Sequence, residues 1–133
     1  MRSDWARPWL SLFVVHDKLG TPTYTHDFAH NVNLLIEHRL WGVYNMVCGG
    51  VTDRLEVAQH LVSLLGPENQ VKITPVSSDY FSKEYFAARR RSERLVTEKL
   101  NTRGLNVMRD WCICLKEYLE YTPFTSQSEK LVG

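Results

Sequence analysis

Short apolar runs and helically spaced apolar positions take turns along this chain. Leu10 to Val15 is an apolar run that ends at His16-Asp17, and its valine and phenylalanine content suits a buried strand. A turn over Lys18 to Pro22 follows. From about Thr25 the spacing predicts a helix with Phe28, Val32, Leu35 and Ile36 on one face, capped by Thr25 or Asp27. Trp41 to Cys48 reads as the next strand, ended by the pair Gly49-Gly50. Thr52 or Asp53 then caps a second helix, and Glu56 stands three residues after Asp53, as a capping box requires. Leu55, Ala58, Leu61, Val62 and Leu65 form its apolar stripe, and Gly66-Pro67 stops it.

Val71 to Val76 alternates like a strand, with Pro75 placing its end near a sheet edge. Ser77-Ser78-Asp79 signals a short helical turn through Tyr80 and Phe81. Arg89 to Arg94 is a basic cluster, and Lys99 to Leu105 reads as a short turn. The last helix is expected to start near Asn106 or Val107, with Met108, Trp111, Leu115 and Tyr118 as its stripe. Strands alternating with helices predict an α/β layer arrangement. Three strands are few for an independent sheet, so at least one edge is expected to lack its natural neighbour. Residues 1–9 read as an N-terminal extension, 10–121 as the domain, and 122–133 as a polar tail.

The 133 residues suffice for one domain with a core, and 44% hydrophobic with 23% charged content is ordinary for a globular chain. A formal net charge of +1 provides no field toward nucleic acid or membrane, so neither is an expected partner. No apolar run approaches the roughly 18 residues of a membrane span, and Asp4 and Pro8 interrupt the opening as a signal peptide would not. Three cysteines, Cys48, Cys112 and Cys114, are too few and odd in number for a disulfide framework, which predicts a reducing cytoplasm.

Several constellations bear on chemistry. His26 and His30 stand four apart on one predicted helix face, a spacing that binds zinc in hydrolases; Asp27 follows the first His where zincins have Glu, and no third ligand is evident. The alternative is two solvated histidines, and no metal site is assigned. Cys112 and Cys114 point about 200° apart on a helix, which suits packing rather than a shared metal. The Arg89 to Arg94 cluster could hold a phosphate or diphosphate through bidentate guanidinium contacts, or it is a solvated basic face. Gly49-Gly50 lacks both phosphate-loop patterns, no Tyr-x-x-x-Lys occurs, and no carboxylate pair stands out as an acid/base couple. The chain carries no self-contained catalytic set.

The segment Gly20-Thr21-Pro22-Thr23-Tyr24 runs a tight turn into the first helix. Pro22 fixes φ, Gly20 permits a backbone shape most residues avoid, and the threonine hydroxyls can satisfy backbone groups or a ligand. Such a loop is a local structural device or the rim of a polar-ligand site.

A resemblance bears on that choice. The strand and loop Phe13 to Tyr24, Asp27-Phe28-Ala29, Gly42-Val43-Tyr44-Asn45, Glu56-Val57-Ala58, Pro75-Val76-Ser77-Ser78, Arg89 with Ser92-x-x-Leu95, Met108-Arg109-Asp110-Trp111 and Leu115-x-x-Tyr118-Leu119 follow one another in order. Together, over residues 10 to 120, they resemble the C-terminal part of dTDP-4-dehydrorhamnose reductases, in the extended short-chain dehydrogenase/reductase superfamily. Arg90 departs from the family's proline. The resemblance implies an α/β substrate-binding portion without its N-terminal Rossmann half, with Gly20, Thr21, Pro22 and Thr23 bordering a dTDP-sugar and Arg89 at its diphosphate. It implies NADPH (or NADH) for the full-length family, bound by the missing half, with none bound by this chain alone. No catalytic residue carries over, because the Tyr-x-x-x-Lys pair is missing. The partners implied are a dTDP-sugar and a separate Rossmann half or a homologous subunit. The rival readings are a non-catalytic regulatory or interaction subunit, a fragment without independent function, and a zinc hydrolase using His26 and His30.

Overall fold

The computed structural model describes residues 10–66, 71–84 and 87–121, so the expected extension over 1–9, Pro67 and the polar tail over 122–133 lie outside the described residues. The elements run β1 (Leu10–Val15), β2 (Leu19–Gly20), α1 (Thr25–Glu37), β3 (Thr52–Asp53), α2 (Arg54–Leu65), β4 (Val71–Val76), a 3-10 turn (Ser78–Phe81), α3 (Glu98–Thr102) and α4 (Trp111–Tyr121). This is the expected α/β mixture. It divides into two compact units, Met1–Gly20 with Thr52–Glu93, and Thr21–Val51 with Arg94–Gly133.

In the first unit β1 and β4 pair in parallel, from Leu10 opposite Val71 to Val15 opposite Val76. Pro75 costs this ladder little, because a two-stranded sheet leaves each strand one open edge. α2 packs against both strands. Leu10, Leu12 and Phe13 are nonetheless exposed, so β1 is not the buried strand its composition predicts. Phe13 instead stacks on Tyr80, ring centroids 5.1 Å apart. Beyond β1 the Asp17 carboxylate accepts the Ser78 N–H at 3.0 Å and its hydroxyl at 2.8 Å, and so anchors the start of the 3-10 turn. That backbone hydrogen bond, working against partial desolvation, holds Asp17 below the ordinary carboxyl value. Asp53 caps α2 by accepting the Glu56 N–H at 2.9 Å, while the Glu56 carboxylate takes the Thr52 hydroxyl at 2.7 Å rather than closing the box on Asp53.

The second unit holds every buried apolar residue among the described residues: Leu35, Val47, Cys48, Leu100, Met108, Trp111 and Cys114. Here α1 differs from its expected pattern. Its buried positions are Asp27, Asn31 and Leu35, whereas Phe28 and Ile36 are exposed. Neither Thr25 nor Asp27 caps it; Tyr24 occupies the cap position and supplies no side-chain bond. The polar stripe has a purpose. Asn31 donates to the Leu105 carbonyl at 2.9 Å and accepts the Val107 N–H at 3.0 Å, and Asp27 accepts the Arg109 N–H at 3.1 Å. Those bonds hold residues 105–109 in a non-helical course, so the last helix starts at Trp111 and not at Asn106 or Val107. Asp110 caps it by accepting the Cys112 N–H at 2.9 Å. The expected turn at Lys99 to Leu105 overlaps helix α3, which begins at Glu98 and is followed by Gly104 in the left-handed region at φ 64°. Residues 41–48 form no strand: the sole bridge nearby joins Gly49 to Asp110.

Candidate functional site

The loop after β2 is held at two points within the second unit. The Thr21 hydroxyl donates to the Gly50 carbonyl at 2.9 Å, and the Tyr24 N–H donates to Cys48 Sγ at 3.3 Å. Between these anchors Pro22 and Thr23 face solvent. Thr21 is therefore spent on the backbone, and Thr23 presents its side chain outward.

Gly20 and Arg89 belong to the first unit. Gly20 lies in β2, paired with Thr52, and its φ is not in the left-handed region, so the special backbone shape expected of it is not needed. Space is the property it does have: a Cβ there would meet nothing within 4 Å. The basic segment runs alongside β2. Leu19 donates to the Arg91 carbonyl at 2.8 Å and accepts the Glu93 N–H at 2.9 Å, and Lys18 Nζ donates to the Arg89 carbonyl at 2.8 Å. The Arg89 guanidinium is exposed, with Glu93 at 3.9 Å as a loose counter-ion. An exposed pair at that distance contributes about 0–1 kcal/mol, so the guanidinium remains available to an anion.

A feature the sequence did not single out sits at the base of the loop. Arg109 reaches Asp27 with Nη2 to Oδ1 at 2.8 Å and Nε to Oδ2 at 3.0 Å. It also meets Glu117 with Nη1 to Oε1 at 3.0 Å and Nη2 to Oε2 at 2.6 Å. Both contacts are bidentate, the geometry for which a guanidinium is suited. Burial pushes the Asp27 carboxyl up, but the Arg109 guanidinium and N–H together outweigh it and hold it at about 2. Arg109 lowers Glu117 as well, and the two carboxylates raise the guanidinium further. Desolvation, then the hydrogen bond to Glu117, raise the Tyr24 hydroxyl. Cys114 lies against the same group, its Sγ 3.4 Å from Asp27 Oδ2, and burial followed by that carboxylate pushes its thiol up. Of the two cysteines expected to be packing residues, Cys114 is buried and Cys112 only half-buried; Cys48 is buried as well. The resemblance did include Asp27 and Arg109, in separate motifs; their separation of 82 residues concealed the pairing.

This cluster is not suited to a metal. Ligand atoms of His26, Asp27 and Glu117 lie within 4.8 Å of one another, but Arg109 already satisfies both carboxylates, and a cation would have to displace it. His30 is not in this group, and both histidines are exposed on α1. The Gly49-Gly50 pair is filled from behind: a Cβ at Gly50 would meet Trp111 Cδ1 at 2.8 Å and Asp110 Oδ2 at 2.9 Å, which leaves no cradle for a pyrophosphate at that turn. No helix among the described residues is long and apolar enough to cross a membrane.

A family model described as RmlD substrate binding domain matches residues 5–123. Among solved structures, a dTDP-4-dehydrorhamnose reductase from Clostridium acetobutylicum superposes with a TM-score of 0.76 at 31% identity, covering 83% of this chain and 38% of that one. The Bacillus anthracis reductase, solved in complex with NADP, gives 0.77 at 28% identity, covering 85% and 39%. The Yersinia enterocolitica reductase gives 0.72 at 23% identity, covering 83% and 37%, a likeness of fold alone. The chain therefore spans less than two fifths of the reductases it matches. No curated protein matches it.

Proposed function

The chain belongs to the RmlD substrate binding domain family, and from that membership we propose that it is the sugar-nucleotide-binding portion of a dTDP-4-dehydrorhamnose reductase-like protein. The observation that carries this reading is the match over residues 5–123 together with two reductase structures at 28–31% identity. The loop geometry is consistent with it. Thr21 fixes the loop to Gly50, Thr23 is exposed, Gly20 leaves room for close approach, and Arg89, paired only loosely with Glu93, offers an exposed guanidinium to a diphosphate. The substrate class is a dTDP-sugar.

The chain alone holds and orients a sugar nucleotide and does not reduce it. It has no Tyr-x-x-x-Lys pair to donate a proton and no glycine-rich cofactor loop in its sequence. When bound, NADPH supplies hydride, and in this reading it is held by a Rossmann portion, on a separate chain or a homologous subunit. The three free thiols accord with the reducing cytoplasm in which such chemistry would run. Titration of dTDP into the 133-residue chain tests the binding claim: saturable one-to-one binding supports it, and its absence overturns it. Mixing the chain with NADPH and dTDP-4-dehydrorhamnose tests the other half, with no oxidation above a protein-free control expected.

A further inference from the structure

A row of sulfur contacts joins the Tyr24 backbone to the Arg109 cluster. The Tyr24 N–H donates to Cys48 Sγ at 3.3 Å, Cys48 Sγ lies 3.7 Å from Cys114 Sγ, and Cys114 Sγ lies 3.4 Å from Asp27 Oδ2. The two cysteines stand 66 residues apart in the chain and are only 2% and 3% exposed. Backbone bonds beside them fix their approach. The Gly49 N–H donates to the Arg109 carbonyl at 3.0 Å, and the Trp111 N–H donates to the Gly49 carbonyl at 3.2 Å. The fold therefore holds two thiols in contact, at a place where one of them anchors the loop and the other touches the carboxylate that pairs with Arg109. Filling the interior with apolar volume requires no such contact between sulfurs.

We propose that Cys48 and Cys114 form a modification site, an oxidisable thiol pair that hydrogen peroxide closes to an intrachain disulfide, with release of the sulfur anchor at Tyr24. The Cys48 sulfur bonds to one peroxide oxygen, the O–O bond breaks, and the departing hydroxide takes the Cys48 proton and leaves as water. Cys114 then attacks the Cys48 sulfur of that sulfenic acid. The S–S bond forms, the S–O bond breaks, and the hydroxyl leaves with the Cys114 proton as a second water. Two thiols are oxidised and one peroxide is reduced by two electrons. The surroundings set the order: burial and the Asp27 carboxylate push the Cys114 thiol up, so it is the poorer first nucleophile and acts second, across a short distance. Burial also confines the oxidant to a small molecule and makes closure slow, which agrees with three free thiols at rest. Closure draws the sulfurs from 3.7 Å to about 2 Å and withdraws the Cys114 S–H from Asp27. It also displaces the sulfur that accepts the Tyr24 N–H. The inference is independent of the sugar-nucleotide reading, although it acts on the same loop.

The test treats the 133-residue chain with hydrogen peroxide over hours, blocks the remaining thiols by alkylation, and maps the peptides without reductant. The peptides that contain Cys48 and Cys114 are expected to appear joined, with the loss of two hydrogens and with Cys112 outside the pair. Dithiothreitol is expected to restore both thiols. The Tyr24 amide is expected to exchange hydrogen about fivefold faster in the oxidised chain than in the reduced one, the worth of one neutral hydrogen bond. Cys112→Ser is expected to close the same pair, whereas wild type oxidised in urea gives mixed pairs. Cys48 and Cys114 both recovered as alkylated thiols after Cys112 has been oxidised would overturn the proposal. Pairs that include Cys112 in the folded chain, or disulfides only between chains, overturn it too. Closure that leaves Tyr24 exchange unchanged refutes the release of the anchor. Closure in a chain that binds no dTDP leaves this inference standing and removes the proposed function; dTDP binding without closure does the reverse.

Discussion

Replacing Asp27 by Asn keeps the shape of the side chain and removes its charge from the Arg109 cluster. Asp27 is 5% exposed and Arg109 38%, so the pair is only partly screened by water. Lowering a carboxyl from its ordinary 3.8 to about 2 stabilises the folded chain by about 2 kcal/mol at neutral pH. Because the folded value lies below the unfolded one, this stabilisation is complete well above 3.8 and is lost as pH falls through about 2. About half of it remains at pH 3. The amide also turns a donor toward the guanidinium, which brings the expected loss at pH 7 to about 2–4 kcal/mol. Urea unfolding of wild type and Asp27→Asn, at pH 7 and at pH 3, measures both quantities. The gap should narrow by about 1 kcal/mol at the lower pH. A gap below about 1 kcal/mol at pH 7, or one equal at both pH values, would refute the claim that the carboxylate charge ties α1 to Arg109.

Asn31→Ala leaves the Leu105 carbonyl and the Val107 N–H without their partner in the interior, at an expected cost of about 2–4 kcal/mol in the same unfolding assay. Gly50→Ala forces a Cβ to 2.8 Å from Trp111 at a φ of 92°, and should cost about 2–4 kcal/mol with a change in tryptophan emission. Gly20→Ala, with open space around it, should alter stability by less than about 0.5 kcal/mol and yet weaken dTDP binding, as calorimetry of the folded variant would read out.

The frame of the fold was legible where a local rule decided the outcome. The runs at Leu10–Val15 and Val71–Val76 became strands, and Asp53 with Glu56 marked the start of α2. Sequence reasoning failed where distant residues took over. Phe28 and Ile36 fit a helical stripe, but Asp27 and Asn31 face inward because residues 105–109 need their hydrogen bonds. The same bonds delay α4 to Trp111. Trp41–Cys48 has the composition of a strand, and a strand needs a neighbour that the described residues do not offer. Of the residues the resemblance named, Thr21 is bonded to the Gly50 carbonyl and Arg89 is exposed, and a ligand at either remains a proposal. The Arg109 cluster beneath the loop was hidden, because no local spacing links Asp27 to a guanidinium 82 residues away.

The central claim is the proposal that the chain binds a dTDP-sugar, with Arg89 at its diphosphate. Calorimetric titration of dTDP into the chain and into Arg89→Ala tests it most directly. The account predicts saturable binding to the chain and a loss of about 10- to 100-fold in the variant, the worth of one charged hydrogen-bonded contact, with thermal stability unchanged. Equal affinity in the two proteins, or no binding to either, would contradict it.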